Sequence, residues 1–265
     1  MNNDPEFEAT MPVLFVGHGS PMNAIEDNAY SRAWMHMGRS LPRPRAIVCI
    51  SAHWETAGTH VTAMDHPATL YDFSGFPRTL YALRYPCPGS AETAGEIRST
   101  LSSTKVFLDF NWGLDHGAWS VLCRMFPRAD VPVVQLSLDI NKNPAQHYEL
   151  GRELKALRRR GFLVLGSGNM VHNLRTMVWQ DTAFDWALAI DERLQALIAA
   201  GEHQALVDYR RLGPASSLAI PTNEHYLPLL YILACSDPTD SVRFFADQVT
   251  LGSVSMRSVI FQPNS

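Results

Sequence analysis

The sequence predicts an α/β fold: a single domain with a central, mostly parallel but mixed sheet and helices on both faces. Three observations carry this. Short, mainly apolar runs recur at Val13–Val16, Ala46–Ser51, Val131–Leu138 and Phe162–Gly166, and a continuous apolar run such as Val13–Val16 is the mark of a strand buried on both faces. Amphipathic segments alternate with these runs, the order expected of strands joined by helical crossovers. No repeat, low-complexity linker or break in composition divides the 265 residues, 46% of them apolar and 18% charged, so one large core is expected.

Taken in order, residues 1–10 are polar and acidic, without the cationic start and apolar core of a signal peptide, and are expected to form a disordered tail ahead of a single domain over 11–265. The strand Val13–Val16 stops at Gly17-His18-Gly19-Ser20-Pro21, where two glycines and a proline turn the backbone sharply. That leaves an imidazole at the carboxyl end of the strand, the edge at which open α/β sheets bind ligands. A helix is expected over Asn28–Met37, capped by Asp27 and closed by Gly38. The strand Ala46–Ser51 again ends on a histidine, in Ser51-Ala52-His53-Trp54.

Residues 65–89 hold so many Pro, Gly and aromatic residues that they read as a long ordered loop, either a binding loop or a cover over the sheet edge. Ser90 caps a helix to about Ser103, a short strand follows at Lys105–Leu108, and Asp115 is placed to cap a helix running to Met125. After Val131–Leu138, the segment Pro144–Arg160 has Pro in its first turn, Leu150, Leu154 and Leu157 on one face, and arginines before Gly161, as a complete helix should. Phe162–Gly166 leads through Ser167-Gly168-Asn169-Met170-Val171 to His172. Helices are expected over Trp186–Ala200 and His203–Arg211, and a third ends near Cys235. Pro228 must lie in the first turn of that third helix, which puts Glu224 and His225 at its start. Val242–Phe245 and Val254–Phe261 read as closing strands.

Composition excludes several functions. The net charge is −4, and the one dense cationic run, Arg158-Arg159-Arg160, complements a helix dipole rather than forming a basic field, so no nucleic-acid partner is expected. No apolar segment approaches a membrane span. Four cysteines without a C-x-x-C pair point to buried thiols and a reducing, cytoplasmic setting. Gly166-Ser167-Gly168-Asn169 lacks the third glycine of a dinucleotide loop and has no following Lys-Ser or Lys-Thr, and neither Ser20 nor Ser167 sits in a G-x-S-x-G elbow.

The unusual entry in the composition is ten histidines. His18, His53, His172 and His225 share one setting, after a strand end or before a helix start, and can lie on one rim of the sheet. Imidazoles converging from separate loops, with Glu224 nearby, suit a divalent first-row metal with an open coordination position. His36, His60, His66, His147 and His203 lack that setting and read as ordinary surface or helix histidines. His116 is intermediate, a cap neighbour or a group reaching toward the metal site. Trp54, Tyr71, Phe73, Phe76, Trp112, Trp119 and Tyr226 lie beside these turns, as core or as walls for a flat ligand.

Five motifs in this order, Gly17-His18-Gly19-Ser20-Pro21, Ser51-Ala52-His53-Trp54, Asp115-His116-Gly117, Gly168-Asn169-Met170-Val171-His172-Asn173 and Glu224-His225-Tyr226-Leu227-Pro228, resemble the class III extradiol ring-cleaving dioxygenases, specifically their DOPA dioxygenase-like branch. The resemblance spans Met11 to Phe261. It implies one mononuclear divalent metal, Fe(II) for turnover with Zn(II) as a possible bound species, and a small aromatic diol and O2 as reactants. It implies His18 and His53 as metal ligands, His172 as the acid–base histidine and His116 as an assisting group. For the third ligand the wider family offers a late glutamate, here Glu224, whereas the DOPA-like branch favours His225. His172 can also approach the metal when substrate is absent. A zinc-dependent hydrolase and a non-catalytic metal- or metabolite-binding protein are the rival readings of the same rim.

Overall fold

Eight strands hydrogen-bond into one sheet in the computed structural model, which describes residues 10–264. Apart from Thr10, the tail expected over 1–10 lies outside the described residues. The strands are β1 (Val13–Gly17), β2 (Ala46–Thr56), β3 (Thr59–Thr62), β4 (Val106–Asp109), β5 (Val133–Asp139), β6 (Phe162–Gly168), β7 (Ser241–Phe245), the short pair β8 (Val249–Thr250) and β9 (Val254–Ser255), and β10 (Ser258–Gln262). The sheet order is β4-β3-β5-β2-β6-β1-β10-β7. The central four, β5-β2-β6-β1, are parallel, and antiparallel β10 and β7 extend one side. Beyond β5, β3 pairs antiparallel and β4 runs parallel to β3. The sheet is therefore mixed around a parallel centre, as the apolar runs predict.

The helices are α1 (Ala29–Ser40), α2 (Arg78–Ala82), α3 (Ala91–Thr100), α4 (His116–Met125), α5 (Pro144–Leu154), α6 (Asp185–Ala199), α7 (His203–Val207), α8 (Pro214–Ala219) and α9 (Leu227–Cys235). Alternation along the central strands sorts the core into two layers. Val13 and Phe15 of β1, Val48 and Ile50 of β2, and Val164 of β6 face a layer built with α3, α5, α6 and α9. Leu14, Val16, Ile47, Cys49 and Leu165 face Trp34 and Met37 of α1 and the buried side of α4. No described helix is long and apolar enough to cross a membrane. All four cysteines are unpaired, and Cys49, Cys87 and Cys235 are buried.

Several local expectations need correcting. Asn28, not Asp27, caps α1: its side chain takes the Ser31 amide while the Ser31 hydroxyl takes its own N–H. Gly38 does not stop that helix but lies within it, where a Cβ would come 2.1 Å from the Met125 carbonyl oxygen, so the glycine lets α1 and α4 touch. The helix expected to Arg160 is α-helical only to Leu154. Lys155–Arg160 tighten into a 3₁₀ turn, with Arg158 fully buried. Strand β2 overruns its expected end at Ser51 by five residues, with a register shift against β5 between Ile50 and Glu55. The Val254–Phe261 run divides at Met256, whose backbone packs against Gly17 so closely that a Cβ there would sit 2.6 Å away.

Candidate metal centre

Because β1, β6 and β2 are parallel neighbours in register, with Gly17 opposite Gly168 and Ser51 opposite Ser167, their carboxyl ends deliver side chains to one place. His18 follows β1, and its amide donates to the Gly168 carbonyl at 3.0 Å. The Asn169 amide donates to the His225 carbonyl at 2.9 Å, which ties the start of α9 to the end of β6. That approach requires glycine at 168, where a Cβ would meet the His225 oxygen at 2.1 Å. Gly166 likewise lets the backbone of α9 approach, a Cβ there meeting the Pro228 oxygen at 2.7 Å. His53 lies inside β2 rather than beyond it, within the stretch where pairing to β5 shifts register. His116 opens α4 behind Asp115, whose side chain caps the helix by accepting from the Ala118 amide.

The turn bearing His172 is held on its flank. Ser255 donates its amide to the Val171 carbonyl at 2.9 Å, and the Asn173 amide reaches the Ser253 carbonyl. Ser255 is in turn fixed by a buried ion pair, its hydroxyl donating to Asp191 at 2.6 Å while Arg257 Nε donates to the other Asp191 oxygen at 2.8 Å.

All five candidate histidines come together. Ring centroids of His18 and His53 are 5.0 Å apart, His18 and His225 5.3 Å, His53 and His225 5.0 Å, and His53 and His116 3.9 Å. His172 lies flat on His225 at 3.5 Å. His18, His53 and His225 each offer one ring nitrogen, all within 4.8 Å of one another, a group that could hold a metal ion. The other five histidines lie outside the cluster. One of them, His147, is not a surface residue but is fully buried against the Tyr231 hydroxyl at 2.9 Å.

Hydrogen bonding fixes which nitrogen His18, His116 and His225 present. The single Ser167 hydroxyl proton goes to the Gly117 carbonyl, so its oxygen accepts the His18 Nδ1–H at 3.0 Å. His225 donates Nδ1–H to Glu224 at 3.0 Å, which engages the glutamate with the adjacent histidine. His116 donates Nδ1–H to Asp72 at 2.9 Å. Each of these rings therefore keeps its Nε2 lone pair for the cluster, and an outer oxygen holding Nδ1–H is the usual support of a metal-binding imidazole. His18 Nε2 and His53 Nε2 face each other at 3.1 Å. Two imidazole nitrogens about 2.1 Å from one ion and at a right angle to each other lie roughly 3 Å apart. The donor set fits a divalent first-row cation, toward which neutral imidazoles can turn their lone pairs.

The surroundings keep the His18, His53, His172 and His225 rings neutral. Burial, then the neighbouring His53 and His225 rings, hold His18 well below the usual histidine range. Burial followed by His116 lowers His53 to about 4. Burial likewise lowers His172 to about 4, and burial with His172 lowers His225. Burial opposes ionisation of Asp72, but the bonds from His116 outweigh it and its carboxyl falls below the ordinary value.

A cavity of about 570 Å³ opens over the cluster. His18, His53, His116, His172 and His225 form its floor, Phe73 and Phe76 from the 65–89 loop line one wall, and Leu174, Met177 and Trp179 line another. No lysine or arginine lines it. Of the aromatics singled out in the sequence, only Phe73 and Phe76 reach the cavity. Trp54 stacks on Trp112 at 5.8 Å, and Trp119 and Tyr226 are core. Trp179, 77% exposed at the mouth, and Asp72 carried no sequence signal: neither adjoins a strand-end histidine. A larger cleft of about 700 Å³ lies on the opposite rim, among the carboxyl ends of α5, α6 and α9, and contains none of these groups.

With this geometry in view, residues 13–257 match the family model described as the catalytic LigB subunit of aromatic ring-opening dioxygenase. The chain is 48% identical to a 4,5-DOPA dioxygenase extradiol of Escherichia coli (strain K12), over 94% of each chain. It is 39% identical to a 4,5-DOPA dioxygenase extradiol of Beta vulgaris, covering 82% of this chain and 83% of that one. Among solved structures, the crystal structure of an uncharacterized Escherichia coli K12 protein superposes with a TM-score of 0.83 at 44% identity, covering 94% of this chain and 99% of the other.

Proposed function

The chain belongs to the LigB family of aromatic ring-opening dioxygenases, and from that premise we propose that it is a metal-dependent extradiol dioxygenase that opens the ring of a DOPA-like catechol with O2. The bond broken lies beside the diol, both oxygen atoms enter the product, and a muconic semialdehyde-type compound results. The observation that carries the reading is the convergence of one ring nitrogen each from His18, His53 and His225 beneath an aromatic-walled cavity.

In this reading His18, His53 and His225 hold the metal. Bound there, Fe(II) supplies the redox chemistry that couples a catecholate to O2, which Zn(II), without an accessible redox change, does not. Glu224 acts through His225, orienting its ring by the Nδ1–H bond. His172 takes a hydroxyl proton from the diol and later returns a proton; no hydrogen bond holds its ring among the described residues, which leaves it available for transfer. His116 presents the Nε2 lone pair to the cavity, where it accepts a hydrogen bond from substrate. Phe73 and Phe76 cover one face of a planar ring and exclude water. Four unpaired cysteines agree with a reducing cytoplasmic location.

The direct test is anaerobic purification, loading with Fe(II), addition of DOPA or a related catechol, and simultaneous recording of oxygen uptake and product absorbance. One O2 consumed per catechol, with a yellow ring-opened product, is expected. No uptake across a catechol panel, with zinc tightly retained, contradicts the proposal and favours a hydrolase or a binding protein.

A further inference from the structure

We propose that Asp72 is a positioning residue for this site: through His116 it fixes which nitrogen of that imidazole faces the cavity, and with the same two bonds it latches the aromatic loop over the cavity. The proposal rests on the dioxygenase reading for its kinetic consequences and on geometry alone for the rest. Asp72 Oδ1 accepts the His116 backbone N–H and Oδ2 accepts its ring Nδ1–H, both at 2.9 Å. One carboxylate from a distant loop thus holds a single residue by backbone and side chain together, which fixes the rotamer of the ring as well as its proton. The backbone N–H in question is one of the first of α4 and has no partner within that helix.

Among the described residues no other carboxylate serves His116. Asp115, its neighbour, is turned inward, taking the Ser51 hydroxyl and the Ala118 amide on one oxygen and the Gln135 amide nitrogen on the other. Asp72 also faces His53 Nδ1, but at 3.5 Å, longer than either bond to His116. His53, Asp72 and His116 together could hold a cation, yet both Asp72 oxygens already accept from His116.

The latch follows from where Asp72 lies. The loop is pinned before it by Trp119 Nε1–H donating to the Leu70 carbonyl at 2.7 Å. Directly after it, Phe73 meets the His116 ring edge-on at 5.4 Å and packs on Phe76 at 5.2 Å. Those two phenylalanines are the cavity wall. Release of Asp72 therefore frees the wall and the His116 proton together.

Asp72→Asn separates the two functions. The amide keeps the shape of the carboxylate and its oxygen can still accept the backbone N–H, but its NH2 then faces Nδ1 and drives the ring proton to Nε2. His116 changes from acceptor to donor at the cavity. Asp72→Ala removes both bonds. The readouts are metal per chain, kcat and KM with a catechol, 15N resonances of the His116 ring in the metal-free protein, and hydrogen exchange across 65–89. Expected for D72N are unchanged metal content, a His116 shift from the Nδ1–H to the Nε2–H pattern, kcat lower by roughly 10–100-fold, and KM within about threefold. D72A should raise KM as well and lose exchange protection over 70–77. A D72N protein with unshifted His116 resonances and full kcat overturns the proposal, and so does loss of metal from D72N, which would make Asp72 a ligand. If the wild type opens no catechol, the dioxygenase reading fails while the resonance and exchange measurements still decide the role of Asp72.

Discussion

The two rims of the sheet handle buried polar groups in opposite ways. At the amino end of the parallel strands, Arg158 is fully buried and all its nitrogens are spoken for. Nε donates to the Met11 carbonyl at 2.8 Å, Nη1 to the Cys235 carbonyl and to Asp240, and Nη2 to the other Asp240 oxygen at 3.1 Å. At the carboxyl end, protein oxygens occupy only the outer nitrogens of His18, His116 and His225, and the inner nitrogen of His18 faces that of His53. The first rim is closed by its own contacts. The second leaves ring nitrogens without a protein partner, the difference expected between a structural charge network and the proposed metal site even though both are buried and rich in titratable groups.

If the contrast is right, substitutions on the two rims have different currencies. His172→Ala should leave one metal per chain and the melting temperature nearly unchanged while lowering ring-opening turnover by about 10²–10⁴-fold, the usual worth of a positioned acid–base group; substantial retained turnover in a stopped-flow oxygen assay would remove His172 from that role. Arg158→Met, on the opposite rim, should leave Asp240 uncompensated where its side chain is only 2% exposed. A loss of about 3–5 kcal/mol in denaturant unfolding is expected, with kcat per folded molecule unchanged. A smaller effect is expected of Ser167→Ala, which frees the His18 Nδ1 proton without touching the metal-facing nitrogen. Metal affinity, measured by chelator competition, should weaken by roughly 10–100-fold, with little change in the apo-protein's unfolding midpoint.

How far these rims can be read from sequence depends on the range of the interaction. The parallel strands were legible because strands buried on both faces are mainly apolar: β1 is so throughout, β6 as far as Gly166, and β5 is interrupted only by Gln135, Ser137 and Asp139. The histidines were legible because each follows an apolar strand run or precedes a helix start. His53 was placed just beyond its strand, when β2 in fact continues past it through a shift in register that a run of apolar residues does not encode. Asp72 was invisible as a partner of His116, 44 residues away, because nothing local distinguishes it from a loop aspartate. The aromatics misled for the converse reason: Trp54 and Trp112 lie beside the motifs in sequence, yet they stack on each other at 5.8 Å as packing, away from the cavity. Strand β3 and helix α8, four and six residues long, were too short to leave a periodicity.

The most direct test of the open rim is metal stoichiometry by elemental analysis after anaerobic loading of His18→Ala, His53→Ala, His225→Ala and His172→Ala. The account predicts close to one ion per chain in the wild type and in H172A, with loss in the other three. Full retention in any one of those three, or loss confined to H172A, would contradict the ligand set on which the proposed chemistry stands.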